Sequence, residues 1–194
     1  ILNVGSFKTW TRRVLTHSGN TFTYEPVPDW KLKHHDYFLE GKLEFLDNEN
    51  EWFFNPETKE LYFYPPDGLD PNELEIRGKV QSYAFDIINS DYVQLKNIEF
   101  FSTTFRFTNS DYGLVEGCNL FYPSCYKRML GVVDTPPEMS IFTSSSNSKV
   151  SKSAFRFTDG SALEMYSGNN TIEDCYFYHI DYTATDLNGL MTTI

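Results

Sequence analysis

The sequence predicts an all-β solenoid, a fold in which short parallel strands stack coil upon coil. Asn89-Ser90-Asp91-Tyr92 recurs twenty residues later as Asn109-Ser110-Asp111-Tyr112. Apolar residues around the two copies keep the same offset, which is typical of repeats that share one core. Aromatic residues make up 17% of the chain, mostly Phe and Tyr, and this favours strands over helices.

Composition excludes several classes of partner. A net charge of −11 argues against nucleic acid and against anionic membranes, which both bind basic surfaces. No apolar run is long enough to cross a bilayer. The sequence has no Gly-rich phosphate loop and no catalytic elbow or zinc-protease motif, and its three cysteines lack metal-ligand spacing. We therefore expect no nucleic acid, no membrane, no metal and no cofactor.

Residues 1–80 form the first predicted region, which is rich in short strands. Trp52-Phe53-Phe54 and Leu61-Tyr62-Phe63-Tyr64 flank a turn-rich connection at 55–60. This pattern predicts a β-hairpin packed on the solenoid, and Pro65-Pro66-Asp67-Gly68 ends the unit.

Residues 81–194 form the second predicted region, which contains four coils. The second strands align on Leu95, Val115, Val150 and Ile172, at spacings of 20, 35 and 22 residues. The long interval contains an insertion between Tyr122 and Ser140. Turns at Asn97, Gly117, Lys152 and Asp174 separate the second strand of each coil from the third. Stacking through parallel strands about 4.8 Å apart gives a right-handed parallel β-helix.

The first strands are predicted at Ala84–Ile88, Thr104–Thr108, Ser140–Ser144 and Ala162–Tyr166. Alternation along these strands places Ile141 and Thr143 inward and gives an outward column of Asp86, Arg106, Phe142 and Glu164. Phe142 is a sugar-stacking candidate because an outward apolar residue requires an explanation. Arg106 beside Asp86 forms either a structural ion pair, which we favour, or a substrate clamp.

A family resemblance adds to this pattern. Residues 41–47, Glu51-Trp52, the hairpin and Pro65-Pro66-Asp67-Gly68 together resemble the segment before the coils in right-handed parallel β-helix proteins related to carbohydrate-active enzymes. Those proteins usually carry Pro-Gly before the Glu-Trp, where this chain has Asn48-Glu49-Asn50. The resemblance implies a glycoside hydrolase acting on polysaccharides or oligosaccharides, with substrate along the first strands and the loops 101–103, 122–139, 158–161 and 181–189.

Two carboxylates on adjacent coils are the leading catalytic candidates. Asp159 lies four residues after Phe155, and Asp181 lies four after Phe177. Coil stacking puts such positions about 5 Å apart, close to the ~5–5.5 Å between the carboxyl groups of retaining glycosidases. Asp159 and Asp181 are then nucleophile and general acid. The alternative is structural, with Asp159-Gly160 as an ordinary turn and Asp181 as a loop cap.

Further candidates surround this pair. Glu164 on the outward column suits either catalytic role, and His179 is placed to hydrogen-bond Asp181 or to act as an acid. Tyr126, in the insertion, is a candidate for the wall of a groove, and an ordinary solvated loop is the alternative.

Asn169-Asn170-Thr171 is a glycosylation sequon, which is usable only in an exported eukaryotic protein. We expect a secreted protein with carbohydrate as its partner. A noncatalytic carbohydrate-binding or extracellular structural protein is the alternative, and a polysaccharide lyase is less favoured because basic residues are scarce. The chain begins at Ile1 without Met and stops in a predicted strand, so further coils or a partner chain are expected at its C-terminal end.

Overall fold

The computed structural model describes residues 2–5, 8–27, 36–124, 139–158, 161–180 and 185–187. The chain divides into two compact units, residues 1–77 and 78–194. Within the described ranges the regular elements of both units are β-strands, and the first unit also contains two short 3-10 turns. A search of those ranges for a helix that could span a membrane found none.

The first unit contains small antiparallel sheets. Strands β1 (Leu2–Gly5), β2 (Lys8–Trp10) and β5 (Asp36–Tyr37) form one sheet with β1 in the centre, and β3 (Val14–Ser18) pairs with β4 (Thr21–Tyr24). Trp10 and Leu2 are buried here, with Tyr24 and Val27 packed against them. These residues give the first unit a small core of its own.

The predicted pairing of the two hairpin strands is confirmed. Strands β6 (Trp52–Asn55) and β7 (Glu60–Phe63) pair antiparallel, with Trp52 opposite Phe63. The side chain of Asn55 closes the turn by accepting hydrogen bonds from the N–H groups of Glu57 and Thr58. The 3-10 turns at Leu43–Phe45 and Pro71–Glu73 flank the hairpin in sequence.

The second unit confirms the predicted solenoid of parallel coils. Its strands form three parallel sheets, which we call the first-strand, second-strand and third-strand sheets. The first-strand sheet contains β8 (Tyr83–Ile88), β11 (Thr104–Thr108), β14 (Ser140–Thr143), β17 (Leu163–Tyr166) and β20 (Thr185–Leu187). The second-strand sheet contains β9 (Gln94–Lys96), β12 (Leu114–Glu116), β15 (Lys149–Ser151) and β18 (Thr171–Glu173). The third-strand sheet contains β10 (Glu99–Phe101), β13 (Asn119–Phe121), β16 (Ala154–Thr158) and β19 (Tyr176–Ile180).

The coils bend at corners where one residue adopts a left-handed backbone. These residues align in columns from coil to coil, with φ between +49° and +65°. Asn, Gly and Asp tolerate this conformation best, which explains part of the turn pattern in the sequence. The columns are Asn89, Asn109 and Ser144; Tyr92, Tyr112, Asn147 and Asn169; Asn97, Gly117, Lys152 and Asp174; and Ser102, Tyr122, Phe157 and His179.

Buried serines satisfy backbone groups at the first corner. The N–H of Ser90 donates to Ser110 Oγ, and the N–H of Ser110 donates to Ser145 Oγ, each at 3.0 Å. Because a corner breaks the strand ladder, these N–H groups need side-chain acceptors from the next coil. The repeated serine therefore has a structural cause.

The Asp and Tyr of the repeat also link neighbouring coils. Asp91 Oδ1 accepts from the N–H of Asp111 at 2.8 Å. The rings of Tyr92 and Tyr112 stack with centroids 4.7 Å apart and planes 2° from parallel. Asn89 and Asn109 supply the left-handed backbone of the corner. Each residue of the repeated Asn-Ser-Asp-Tyr therefore contributes to the stacking of one coil on the next.

A continuous apolar core runs through the coils. The second-strand register predicted from sequence is confirmed, since Leu95, Val115, Val150 and Ile172 are direct partners. The fully buried aromatic side chains of the interior are Phe100, Phe105, Phe107, Phe142 and Phe155. Burying a side chain of this size contributes about 1.5–3 kcal/mol, so the aromatic interior is a major source of stability.

The predicted face of Phe142 is wrong. Its strand pairs Phe107 with Phe142 and Arg106 with Ile141, one residue away from the predicted register. Phe142 is consequently inward and fully buried, stacked on Phe107 at 4.6 Å with planes 9° apart. A one-residue slip exchanges the two faces of a strand, so Ile141 and Thr143, predicted to point inward, lie on the outer face. Phe142 is thus a core residue and is not available to stack on a sugar.

Candidate functional site

The outer face of the first-strand sheet carries the charged residues that the sequence singled out. Direct pairing between strands aligns Asp86 with Arg106, Arg106 with Ile141, and Ile141 with Glu164. Ile141 replaces the predicted Phe142 in this outward column. The column therefore contains the Asp86–Arg106 ion pair and the Glu164 carboxyl group, with the apolar Ile141 between them.

Arg106 and Asp86 form a bidentate ion pair across two coils. Arg106 Nε lies 2.8 Å from Asp86 Oδ1, and Nη2 lies 2.5 Å from Oδ2. The hydrogen bond from Arg106 lowers the pKa of Asp86, and the same bond raises the pKa of Arg106. The guanidinium also lies 4.6 Å from the centroid of the Tyr83 ring, a cation–π contact. These contacts fix the orientation of Arg106, and its use as a substrate clamp remains a prediction.

Glu164 is a carboxyl group with little access to solvent. The residue is 7% exposed, although it lies on the outward column. Tyr166, two residues further along β17, donates its hydroxyl hydrogen to Glu164 Oε2 at 2.5 Å. A buried carboxyl group with a fixed donor suits chemistry better than a solvated surface glutamate.

The neighbour of Glu164 on the next coil is also acidic. In the parallel pairing of β17 with β20, Glu164 is the direct partner of Asp186. Sequence reasoning missed Asp186, because residues 181–189 were interpreted as a loop, whereas Thr185–Leu187 is a strand. The available signal was the 22-residue spacing between the last two coils, which separates Glu164 from Asp186 as well.

Asp159, Asp181 and Tyr126 lie outside the described residues, so their predicted roles remain predictions. The residues just before the two aspartates are described. Thr158 and Ile180 are direct partners in the pairing of β16 with β19. The residues just before Asp159 and Asp181 therefore occupy equivalent positions on adjacent coils. The same equivalence remains a prediction for the two aspartates themselves.

His179 lies at a corner in contact with other rings. Its φ is +51°, and its ring stacks on Phe157 with centroids 5.4 Å apart and planes at 20°. Phe157 stacks in turn on Tyr122 at 5.4 Å. His179 is exposed, and these contacts make it one end of an aromatic column. Its predicted partner Asp181 is not among the described residues, so the acid role is untested.

On the outer face of the third-strand sheet, aromatic rings lie next to the side chain of Arg156. The Arg156 guanidinium lies 5.2 Å from the ring centroid of Phe121 and 5.5 Å from that of Tyr176. Its Nη1 donates to Asn119 Oδ1 at 3.1 Å. Tyr176 and Tyr178 are about half exposed. This surface offers flat apolar rings beside hydrogen-bonding groups, a combination found in ligand-binding surfaces.

Asn169 of the sequon is exposed at a left-handed corner with φ +60°. Its neighbour Asn170 is buried, where its amide donates to the carbonyl of Ser145 and its oxygen accepts from the N–H of Ser148. Of the two asparagines, Asn169 is therefore the one whose position suits modification.

Cys118 and Cys175 are the cysteines that lie within the described ranges, and both are free thiols. Burial raises the pKa of Cys118 and of Cys175, which lowers their thiolate fraction near neutral pH. Searching the described residues for three or more His, Cys, Asp or Glu side chains grouped around a possible metal position found no such group.

Comparison of the chain with protein-family models, with curated proteins and with solved structures found no match. The parallel β-helix is thus established by the strand pairing alone. The relation to carbohydrate-active enzymes rests on the sequence resemblance and is carried forward as a proposal.

Proposed function

We propose that the protein is a secreted glycoside hydrolase that acts on polysaccharides or oligosaccharides through two carboxyl groups on adjacent coils. The observation that carries this proposal is the direct pairing of Glu164 with Asp186 on the outward column of the first-strand sheet. Asp159 and Asp181 remain the second candidate pair.

Strand spacing supports this chemistry. Neighbouring parallel strands lie about 4.8 Å apart, and retaining glycosidases hold their carboxyl groups about 5–5.5 Å apart. Repulsion between two carboxylates at such a distance favours protonation of one of them. The pair then contains a nucleophile for the anomeric carbon and an acid for the departing oxygen.

The test is hydrolysis of a panel of neutral and acidic polysaccharides, with released reducing ends as the readout. The single variants are Glu164→Gln, Asp186→Asn, Asp159→Asn and Asp181→Asn. We expect the two members of the true pair to lower turnover at least about a hundredfold. Glu173→Gln is the matched control, because Glu173 is an exposed carboxylate on β18 that pairs with Lys149.

The stereochemistry of the product gives a second, independent readout. A pair at this spacing predicts retention of the anomeric configuration, which proton NMR of the fresh product detects. The proposal is wrong if no polysaccharide is cleaved, or if all four variants match the control.

Noncatalytic carbohydrate binding is the second candidate function. It is favoured by the aromatic outer face of the third-strand sheet, with Tyr176, Tyr178 and Arg156. Binding on a glycan array without released product would support this function, and the double variant Tyr176→Ala/Tyr178→Ala should then abolish binding. Retained binding by that variant would exclude this surface.

A further inference from the structure

Arg156 differs from other cations on the strands of the solenoid. Arg106 pairs with Asp86, and Lys96 and Lys149 each form an ion pair with a glutamate on an adjacent strand. Within the described ranges, the contacts of Arg156 are two aromatic rings and one side-chain amide, and none of these groups is a carboxylate. The described residues therefore place no negative charge in contact with this guanidinium.

The neighbouring coils hold the guanidinium of Arg156 in place. The ring of Phe121 on the coil before it and the ring of Tyr176 on the coil after it lie 5.2 and 5.5 Å away, and Asn119 accepts a hydrogen bond from Nη1. The residue is still partly exposed. The fork of an arginine matches the two oxygens of a carboxylate. Because this side chain is already ordered, binding a carboxylate costs it little conformational entropy.

Exposed aromatic rings extend from Arg156 across the neighbouring coils. Phe157 contacts Tyr122 at 5.4 Å and Tyr178 at 5.6 Å between ring centroids. Tyr178 also contacts Tyr176, at 6.0 Å. These four residues are each between 37% and 52% exposed. Ligand sites combine aromatic side chains with a few polar groups that fix orientation, and the four rings with Arg156, which we call the Arg156 surface, have this composition.

The charges near the Arg156 surface limit what it can bind. Glu99 lies on the outer face of the same sheet and is aligned through Asn119 with Ala154 on β16, the strand of Arg156. Two strand spacings, about 10 Å, separate Glu99 from that strand. The whole chain carries a net charge of −11. A long polyanion is therefore repelled, whereas a single carboxylate in contact with Arg156 gains charge-assisted hydrogen bonds.

We propose that the Arg156 surface binds carbohydrates in which one carboxylate-bearing sugar is joined to neutral sugars. The carboxylate accepts hydrogen bonds from Arg156, and the neutral sugars lie on the rings of Tyr176 and Tyr178. This inference rests on noncatalytic carbohydrate binding, the second candidate function, and adds the class of sugar and its anchor. It is independent of hydrolysis, because none of its residues lies on the first-strand sheet.

The first test is a glycan array that carries sialyllactose, xylo-oligosaccharides with one glucuronic acid branch, the neutral parent oligosaccharides and oligogalacturonates. We expect the singly acidic glycans to bind most strongly. The strongest of them is then compared by isothermal titration calorimetry with its carboxyl-reduced form, in which a neutral alcohol replaces the carboxylate. Loss of the charged acceptor should weaken binding about tenfold to a hundredfold.

The second test replaces the anchor by Arg156→Gln. Affinity for the acidic glycan should fall about tenfold or more, to that of the carboxyl-reduced glycan, because the variant lacks the positive charge. Affinity for the carboxyl-reduced glycan should stay nearly unchanged, which also shows that the variant is folded. Lys152→Gln is the matched control, because Lys152 is a cation on the same coil that already pairs with Glu116, and it should change neither affinity.

The outcomes separate this inference from the function on which it rests. Equal binding of the acidic and carboxyl-reduced glycans, or an unchanged preference in Arg156→Gln, overturns the role of Arg156 while carbohydrate binding stands. Strongest binding to oligogalacturonates overturns the proposed class of sugar. If no glycan on the array binds, carbohydrate binding and the present inference both fall, and the hydrolase proposal is still decided by its own assay.

Discussion

The hydroxyl of Ser145 accepts a hydrogen bond from the main-chain N–H of Ser110 at 3.0 Å, across one coil interface. Both residues are fully buried. The bond replaces the strand pairing that is lost at the corner, so the corner depends on a side chain for its backbone partner.

Replacing Ser145 by alanine should therefore destabilise the solenoid. The buried N–H of Ser110 would lose its acceptor, at a cost of about 1–3 kcal/mol in the free energy of unfolding. Urea denaturation measures this loss. Ser146→Ala is the matched control, because it alters the next side chain and leaves the Ser110 bond intact. Equal stability of the two variants would contradict a structural role for the serine.

Gly117→Ala tests the third column of corners. Gly117 has φ +65°, and an added Cβ would lie 2.5 Å from Asn97 Oδ1. Left-handed strain alone costs a non-glycine residue about 1–2 kcal/mol, so thermal unfolding should occur at lower temperature. Gly168→Ala is the control, since nothing lies within 4 Å of its added Cβ and its φ is outside the left-handed region. A variant at Gly117 as stable as the one at Gly168 would disprove the strain.

Phe142→Ala distinguishes the observed register from the predicted one. Truncating a buried phenylalanine costs about 3–5 kcal/mol, because it removes apolar contacts and leaves a cavity. Phe101→Ala, on the outer face of β10, removes a ring that is 43% exposed and should cost much less. Chemical denaturation of both variants provides the comparison. If both variants lose a similarly small amount of unfolding free energy, Phe142 faces outward and the observed register is wrong.

The ion pair between Asp86 and Arg106 should contribute a pH-dependent stability. Arg106 lowers the pKa of Asp86 in the folded state. The contribution is therefore present above the unfolded pKa of about 3.9 and is lost as pH falls through the lowered folded value. Because both side chains are partly exposed, the pair contributes no more than about 1 kcal/mol.

Comparing wild type with Asp86→Asn by urea denaturation at several pH values checks this expectation. The difference in unfolding free energy between the two proteins should be constant from about pH 5 to 8 and should shrink below about pH 4. Asp67→Asn, an exposed aspartate of the first unit, is the control. A difference that persists unchanged at about pH 2 would show that charge is not its cause.

The repeat predicted much of the fold because it combines two signals. The turn residues Asn89 and Asn109 have the same left-handed backbone, and the apolar residues between turns share one core. The hairpin at 52–63 was predictable for a local reason, since aromatic strands flank a turn-forming segment.

The third coil was harder to predict because its first strand has adjacent apolar residues. Alternation alone allows either Ile141 or Phe142 to point inward, and the prediction that Ile141 does so is wrong. The second strand already had an offset of 35 residues, and the same offset aligns Ser145 with Ser110. Applied to the first strand as well, the 35-residue offset pairs Phe107 with Phe142 and correctly places Phe142 on the inner face.

The candidate site was only partly predictable from sequence. Glu164 followed from alternation, and its position on the outward column is observed. Asp186 was missed because Thr185–Leu187 is a three-residue strand with a single apolar side chain, too short for a periodic signal. The contact between Tyr166 and Glu164 depends on side-chain orientation, which spacing alone does not provide.

The coils on either side of the long interval between residues 122 and 140 remain in register, since Val115 still pairs with Val150 and Leu120 with Phe155. Sequence can thus be added at this junction without disturbing the coils before or after it. Related proteins with the same number of coils should therefore differ most in length at this junction.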